Sequence, residues 1–302
     1  MSLIEVAGLT YTYADGTQAL RGVDLEVGEG EFVAFIGQNG SGKTTLSKCL
    51  AGLLRPTAGR VVVDGVDTSG KGVTKELARR IGYVFQNPDH QLFNSRVADE
   101  IAYGPRNLGL PDEERERVVQ EAAGVAGVRA ELFDEHPFFL TKGLRQRVAI
   151  ASTLAMRPKA IIVDEPTTGQ DHRQSVEIME FLVHLWRIEG HTIVIVTHEM
   201  PIVAAYAQRV VALCQGRILL DGPTREVFAQ SDALRQTFVK PPQATRLAQA
   251  WRDLGVAPDV LSVEELHDSV AGVLASRVAR AAAEAAASER SPEGHGMSRG
   301  TA

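Results

Sequence analysis

The chain has 302 residues, enough for one large domain and an appendage. A hydrophobic share of 44% supports a packed core, and a formal net charge of −6 excludes a dedicated nucleic-acid binder, whose footprint would be basic. Only Cys49 and Cys214 are present, each among apolar neighbours, so a disulfide scaffold or a cysteine metal site is excluded and both are expected to be small buried hydrophobes.

The start, Met1 to Val6, lacks the basic and apolar segments of a secretory signal. No apolar run approaches the roughly 20 residues that span a bilayer. The protein is therefore expected in the cytoplasm, where a partner could still hold it on a membrane. Residues 1 to about 30 read as short strands: Thr10-Tyr-Thr-Tyr13 alternates, and Asp15-Gly16 and Val27-Gly28-Glu29-Gly30 turn. Glu31 to Ile36 is a short apolar strand. Thr45 to Leu54 has helical spacing in Leu46, Leu50, Leu53 and Leu54. Val61 to Val63 and Ile81 to Phe85 are further strands. Val97 to Arg157 reads as helical, with Pro105 and Pro111 as breaks. Strands return at Ala160 to Val163 and Thr192 to Val196, around a helix near Asp171 to Ile188. Val210 to Leu213 and Arg217 to Leu220 read as a hairpin around Gln215-Gly216. The alternation predicts an α/β sheet core with a helical subdomain at about 88–158.

A second unit is predicted after about residue 235, with a break at Pro241-Pro242. Ser262 and Glu265 have capping-box spacing. The helix behind them carries Leu266, Val270, Val273, Leu274 and Val278 on one face, for packing on the main domain or on a twin subunit. Residues 291–302 read as a flexible tail.

Between the strand ending at Ile36 and the helix lies Gly37-Gln38-Asn39-Gly40-Ser41-Gly42-Lys43-Thr44, which fits the phosphate loop G-x-x-x-x-G-K-[ST]. Its glycines let backbone N–H groups curl round phosphates at a helix N-terminus. Lys43 can reach the β- and γ-phosphates of ATP, and the Thr44 hydroxyl can ligate Mg²⁺. The strand Ala160 to Val163 delivers Asp164 and Glu165 side by side. Asp164 suits Mg²⁺, and Glu165 suits polarising a water. Gln86 ends its strand with an amide able to ligate Mg²⁺ or the attacking water. His198 follows the strand Thr192 to Val196 and can sense the γ-phosphate.

This order of motifs, with a signature region at Leu140 to Arg147, resembles the nucleotide-binding subunit of an ABC transporter over residues 3 to 230. The resemblance implies an α/β fold of P-loop NTPase, ABC ATPase type, with an N-terminal β-subdomain, a mixed core and a helical subdomain within 1–235, and a C-terminal helical extension at 236–290 that serves as a dimer contact. It implies catalytic roles for Glu165, His198 and Gln86. ATP would be held by Gly37 to Thr45 and stacked by Tyr13, with Tyr11 as the alternative. Mg²⁺ would be held by Thr44, Gln86 and Asp164. Thr168-Gly169-Gln170-Asp171 matches the loop that crosses to the opposite subunit. The stretch Gln86 to Pro111 and the segment Lys240 to Leu247 are similar to the ATPases of energy-coupling-factor importers for vitamins and cobalt or nickel ions. The partners so implied are a second ATPase subunit, identical or paralogous, an integral membrane coupling subunit and a substrate-binding membrane subunit, with the chain peripheral on the cytoplasmic face.

The signature departs from the family's Leu-Ser-Gly-Gly-Gln. Here it reads Leu140, Thr141, Lys142, Gly143, Leu144. In that family it acts on the partner's ATP, so the change is expected to leave this chain's own pocket untouched. Lys142 then either faces solvent or gives a charge-assisted contact to the partner's γ-phosphate. A soluble regulatory or repair ATPase, a kinase with the same loop, and a nucleotide-binding structural subunit are the rival readings. The absence of a second cassette or basic face weighs against the first. Asp164-Glu165 followed by His198 weighs against the second. Turnover separates the third.

Overall fold

Two eleven-residue strands, Ser2–Thr12 (β1) and Gln18–Gly28 (β2), open the chain in the computed structural model, which describes residues 2–289. Their pairing carries several bulges, as between Val6 and Leu9, and each bulge resets the two-residue alternation. That is why the pattern predicts short strands where two long ones run. Phe32–Ile36 (β3) is buried throughout and leads by the phosphate loop into Lys43–Leu50 (α1). The helix stops short of the expected Leu54 because Gly52, at φ +70°, turns the chain away. Leu46, Cys49 and Leu50 are fully buried, and burial pushes the Cys49 thiol up to about 12. Ala58–Val63 (β4) and Val66–Asp67 (β5) complete an antiparallel sheet in the order β2-β1-β4-β5.

Thr74–Ala78 (α2) precedes Ile81–Val84 (β6). Val97–Asn107 (α3), Asp112–Val125 (α4) and Lys142–Leu154 (α5) then pack on one another. Pro105 lies inside α3 and does not break it. The face carrying Val97, Ile101, Ala102 and Pro105 is buried, and that packing outweighs one lost backbone bond. Pro111 does act as a break, at the start of α4. Ala160–Asp164 (β7), His172–Arg187 (α6), Thr192–Val196 (β8) and Met200–Tyr206 (α7) follow. Asp171 caps α6 by accepting from the Gln174 N–H at 2.8 Å. Arg209–Cys214 (β9) and Arg217–Pro223 (β10) form the expected hairpin, with Gln215 and Gly216 both at positive φ, as a two-residue I′ turn requires. Cys214 departs from expectation: it is only half-buried, at the end of β9, and its Sγ donates to the Gln236 carbonyl at 3.1 Å. Thr224–Ala229 (α8) and Ser231–Gln236 (α9) close the first unit, which ends at Pro241.

The second sheet has the order β10-β9-β3-β8-β7-β6, parallel throughout except for β10. Every residue of β3, β7 and β8 is buried, as strands covered on both faces must be. The core joins the two sheets, and α1 touches β2, β4 and β8. The C-terminal ends of β3, β8, β7 and β6 therefore line up side by side.

The second unit begins at Pro242 and holds Gln243–Ala250 (α10) and Val263–Glu289 (α11). Ala248, Val256 and Val260 form its core, against Leu266, Val270 and Val273. Leu274 and Val278 stay exposed, so the apolar face of α11 is covered only in its first half. Ser262 caps the helix by accepting from the Glu265 N–H at 3.1 Å, while the Glu265 carboxylate reaches the Leu261 N–H at 2.9 Å, one residue beyond the capping-box position. The tail expected at 291–302 lies outside the described residues.

Candidate active site

The phosphate loop is shaped by two crowded glycines. A Cβ on Gly37, at φ +147°, would stand 2.4 Å from the Leu213 carbonyl oxygen, and one on Gly42, at φ +107°, 2.7 Å from that of Ala19. Lys43 folds across the loop, its Nζ donating to the carbonyls of Gly37 at 2.8 Å and Gln38 at 3.1 Å. Burial pulls the Lys43 ammonium below its ordinary value, against the opposing charges of Glu165 and Asp164.

The strand ends bring the remaining groups together. Asp164 closes β7, and its Oδ2 accepts from the Tyr83 hydroxyl of β6 at 2.8 Å. Burial raises the Asp164 carboxyl above its ordinary range, the Tyr83 bond opposes this, and the charge of Glu165 adds to it. Glu165 follows at φ +51°, and its N–H donates to the Val196 carbonyl at 2.7 Å. Its side chain has two holders. His198 Nδ1 stands 2.9 Å from the carboxylate, and Thr168 Oγ1 donates to Oε2 at 3.1 Å.

Tyr13, Asn39, Gly40, Gly42, Lys43, Thr44, Thr45, Gln86, Glu165 and His198 line one cleft of about 550 Å³, together with Thr17, Gln18 and Ala19. Asp164 is buried, with Thr44 as well as Tyr83 acting on its carboxylate, and Ser41 Oγ in the loop is buried and unpartnered. A buried carboxylate beside the Thr44 hydroxyl and the Lys43 ammonium is a hard-oxygen donor set that fits a divalent cation carrying a triphosphate. The two tyrosines are placed differently. Tyr13 lines the cleft and joins its hydroxyl to Thr45 Oγ1 at 2.9 Å, whereas Tyr11 packs against the core and meets Tyr13 edge-on.

The signature segment does not line this cleft. Thr141 caps α5 by accepting from the Leu144 N–H at 3.4 Å, and Arg145 holds the Leu140 carbonyl at 2.7 Å. A Cβ on Gly143 would meet open space. Lys142 Nζ donates to the Thr168 carbonyl of the same chain at 2.8 Å. The segment thus stands outside this chain's cleft, with Lys142 bonded to the loop that follows Glu165. The Tyr83 and Thr168 hydroxyls, which hold the Asp164 and Glu165 carboxylates, are contacts that sequence reasoning missed. The only sequence signal for Tyr83 is a polar tip in an otherwise apolar strand.

A family model described as "ABC transporter" matches residues 20–168. The chain is 39% identical over 274 residues to the energy-coupling factor transporter ATP-binding protein EcfA2 of Caldanaerobacter subterraneus subsp. tengcongensis, covering 88% of this chain and 96% of that protein. It is 41% identical over 278 residues to EcfA of Methanothermobacter thermautotrophicus, covering 90% and 88%. The solved structure of CbiO1 from Clostridium perfringens, described as part of the ABC transporter complex cbiONQ, superposes with a TM-score of 0.70 at 37% identity, over 82% of this chain and 98% of that one. The chain spans about half the length of other curated relatives that it matches, 45% of one at 46% identity and 42% of another at 42% identity. Similarity along nearly the whole of EcfA2, with the phosphate loop and strand-end carboxylates assembled in one cleft, means that this chain belongs to the family of ABC transporter ATP-binding proteins.

Proposed function

We propose that the chain is the ATP-binding and ATP-hydrolysing subunit of a membrane importer of the energy-coupling-factor type, one that takes up a vitamin or a transition-metal ion. The convergence of Lys43, Thr44, Gln86, Glu165 and His198 on one cleft at the strand ends carries the reading. Likeness to EcfA2 and CbiO1 supports the importer class.

The backbone N–H groups of the loop and Lys43 bind the triphosphate, and Tyr13 offers its ring to the adenine. Thr44, Asp164 and Gln86 would hold Mg²⁺, which when bound neutralises charge on the phosphate oxygens. Glu165 polarises the attacking water and accepts its proton as oxygen bonds to the γ-phosphorus. The bond from that phosphorus to the bridging oxygen breaks, and ADP leaves with the electron pair. His198 and Thr168 hold the carboxylate in aim from two sides.

Leu140 to Leu144 serve the ATP of a second ATPase subunit, identical or paralogous. Gln86 passes the nucleotide state to an integral coupling subunit, which in turn works with a substrate-binding membrane subunit. An apolar groove of about 320 Å³, lined by Phe85, Phe93, Tyr103 and Met156, supports such a contact. Phe93 is 61% exposed there and meets Tyr103 edge-on at 4.7 Å. Among the described residues no helix is long and apolar enough to cross a membrane; the proposed membrane subunits would hold the chain peripherally on the cytoplasmic face.

The test is phosphate release from ATP with no acceptor present. Mg²⁺-dependent release that is lost in E165Q, with ATP still bound, supports the reading. Binding without release points to a structural subunit, and absence of binding overturns the proposal.

A further inference from the structure

Four residues from three separate segments form one connected line. Lys142 Nζ, in the first turn of α5, donates to the Thr168 carbonyl at 2.8 Å. The Thr168 hydroxyl donates to Glu165 Oε2 at 3.1 Å. The Glu165 carboxylate meets His198 Nδ1 at 2.9 Å. Gly169 makes room for the first link. It sits at φ +72°, and a Cβ there would stand 2.5 Å from the Lys142 ammonium. The Thr168 N–H donates back to the Glu165 carbonyl at 3.3 Å, and the Gln170 N–H to that of Thr167 at 3.2 Å, so the loop closes tightly on the carboxylate.

We propose that Lys142 is a positioning residue for this chain's own Glu165, gripping the Thr168 carbonyl so that the Thr168 hydroxyl holds the carboxylate in aim. The link to hydrolysis rests on the proposed function. The aim of the carboxylate does not. A glycine at this place in the signature would have no donor to offer, so the lysine adds a contact that the Leu-Ser-Gly-Gly-Gln pattern lacks. A charge-assisted bond to a carbonyl is about twice as strong as a neutral one, which suits a single side chain steadying a loop. The same line lets the occupancy of this chain's cleft reach its signature segment. Movement of Glu165 or His198 pulls on Thr168, and through it on the first turn of α5.

The test uses K142M and K142R in the full chain. Three quantities are read: amide exchange across residues 167–171, the ring NMR signals of His198 (assigned with H198Q), and phosphate release. Without nucleotide, K142M is expected to exchange the Thr168 and Gln170 amides about tenfold faster and to shift the His198 signals. With saturating ATP it is expected to bind normally and to release phosphate about tenfold more slowly, a fall in kcat at unchanged KM. K142R restores all three. T168V keeps the gripped carbonyl but removes the hydroxyl, so it slows release to the same extent, and adding K142M to it costs little more. Unchanged exchange and His198 signals in K142M, or failure of K142R to restore them, overturn the inference. A wild-type chain that binds or hydrolyses no ATP instead overturns the proposed function, while exchange and the His198 signals still decide the role of Lys142.

Discussion

The Tyr83 hydroxyl holds Asp164 by one oxygen, Oδ2, at 2.8 Å, and the Thr44 side chain acts on the same carboxylate from the phosphate loop. A buried carboxylate held by a tyrosine hydroxyl and a loop threonine is aimed. Tyr83 thus fixes which oxygen faces Thr44 and the phosphate loop. Y83F removes the pin and leaves Oδ2 buried without its donor, which costs about 1–3 kcal/mol. The variant is expected to unfold at lower urea and to need several-fold more Mg²⁺ for half-maximal nucleotide binding. Urea denaturation and a Mg²⁺ titration of ATP binding check both.

In the proposed mechanism Glu165 takes the proton of the attacking water. E165Q keeps the shape and the Thr168 contact but loses basicity, so phosphate release is expected to fall by about 10²–10⁴-fold while ATP still binds. Unhydrolysed ATP should then hold two chains together. Size-exclusion chromatography at micromolar protein with saturating ATP reads this directly, and a persistent monomer would mean that the natural partner is a different chain or that no such closure occurs.

The glycines of the phosphate loop are not equivalent. A Cβ on Gly37 would collide with the Leu213 carbonyl at 2.4 Å and Ser41 Oγ at 2.6 Å, whereas one on Gly40 meets nothing within 4 Å. G37A is expected to lose ATP binding and several degrees of thermal midpoint. G40A should cost only the roughly 1 kcal/mol of its left-handed backbone and keep measurable binding. Isothermal titration with ATP separates the two.

His191 borders a cavity of about 310 Å³ beside Glu121, Arg157 and Glu189. Burial lowers its pKa below the ordinary 6.5, against the smaller upward pulls of a backbone bond at Pro158 and the Glu189 charge. The unfolded chain therefore takes up this proton first as pH falls. Stability from neutral His191 is full above about 6.5 and is lost as pH drops through its lower folded value. H191Q should flatten that part of the acid limb. Thermal melts from pH 7.5 to 5, compared with wild type, check it.

What the sequence made legible was contiguous. The loop Gly37 to Thr44 is read in one line, and Asp164-Glu165 could be placed because a short buried strand ends there. The hairpin at Gln215-Gly216 was legible because two residues carry the turn. Lateral relations were hidden. Tyr83 meets Asp164 only because β6 and β7 pair with Tyr83 opposite Ile162, a register that no local pattern states. Lys142 meets Thr168 across two loops and 26 residues. Pro105 reads as a break by local propensity, but the buried face of α3 overrides it. The bulges in β1 and β2 hid the true length of the first hairpin by the same kind of long-range pairing.

Glu165 adopts φ +51°, a left-handed turn that an ordinary side chain occupies at a cost of about 1–2 kcal/mol. Asparagine or glycine would sit there more comfortably. A laboratory selection rewarding heat tolerance alone would thus drift toward those replacements, and its survivors would be sturdier proteins with no turnover.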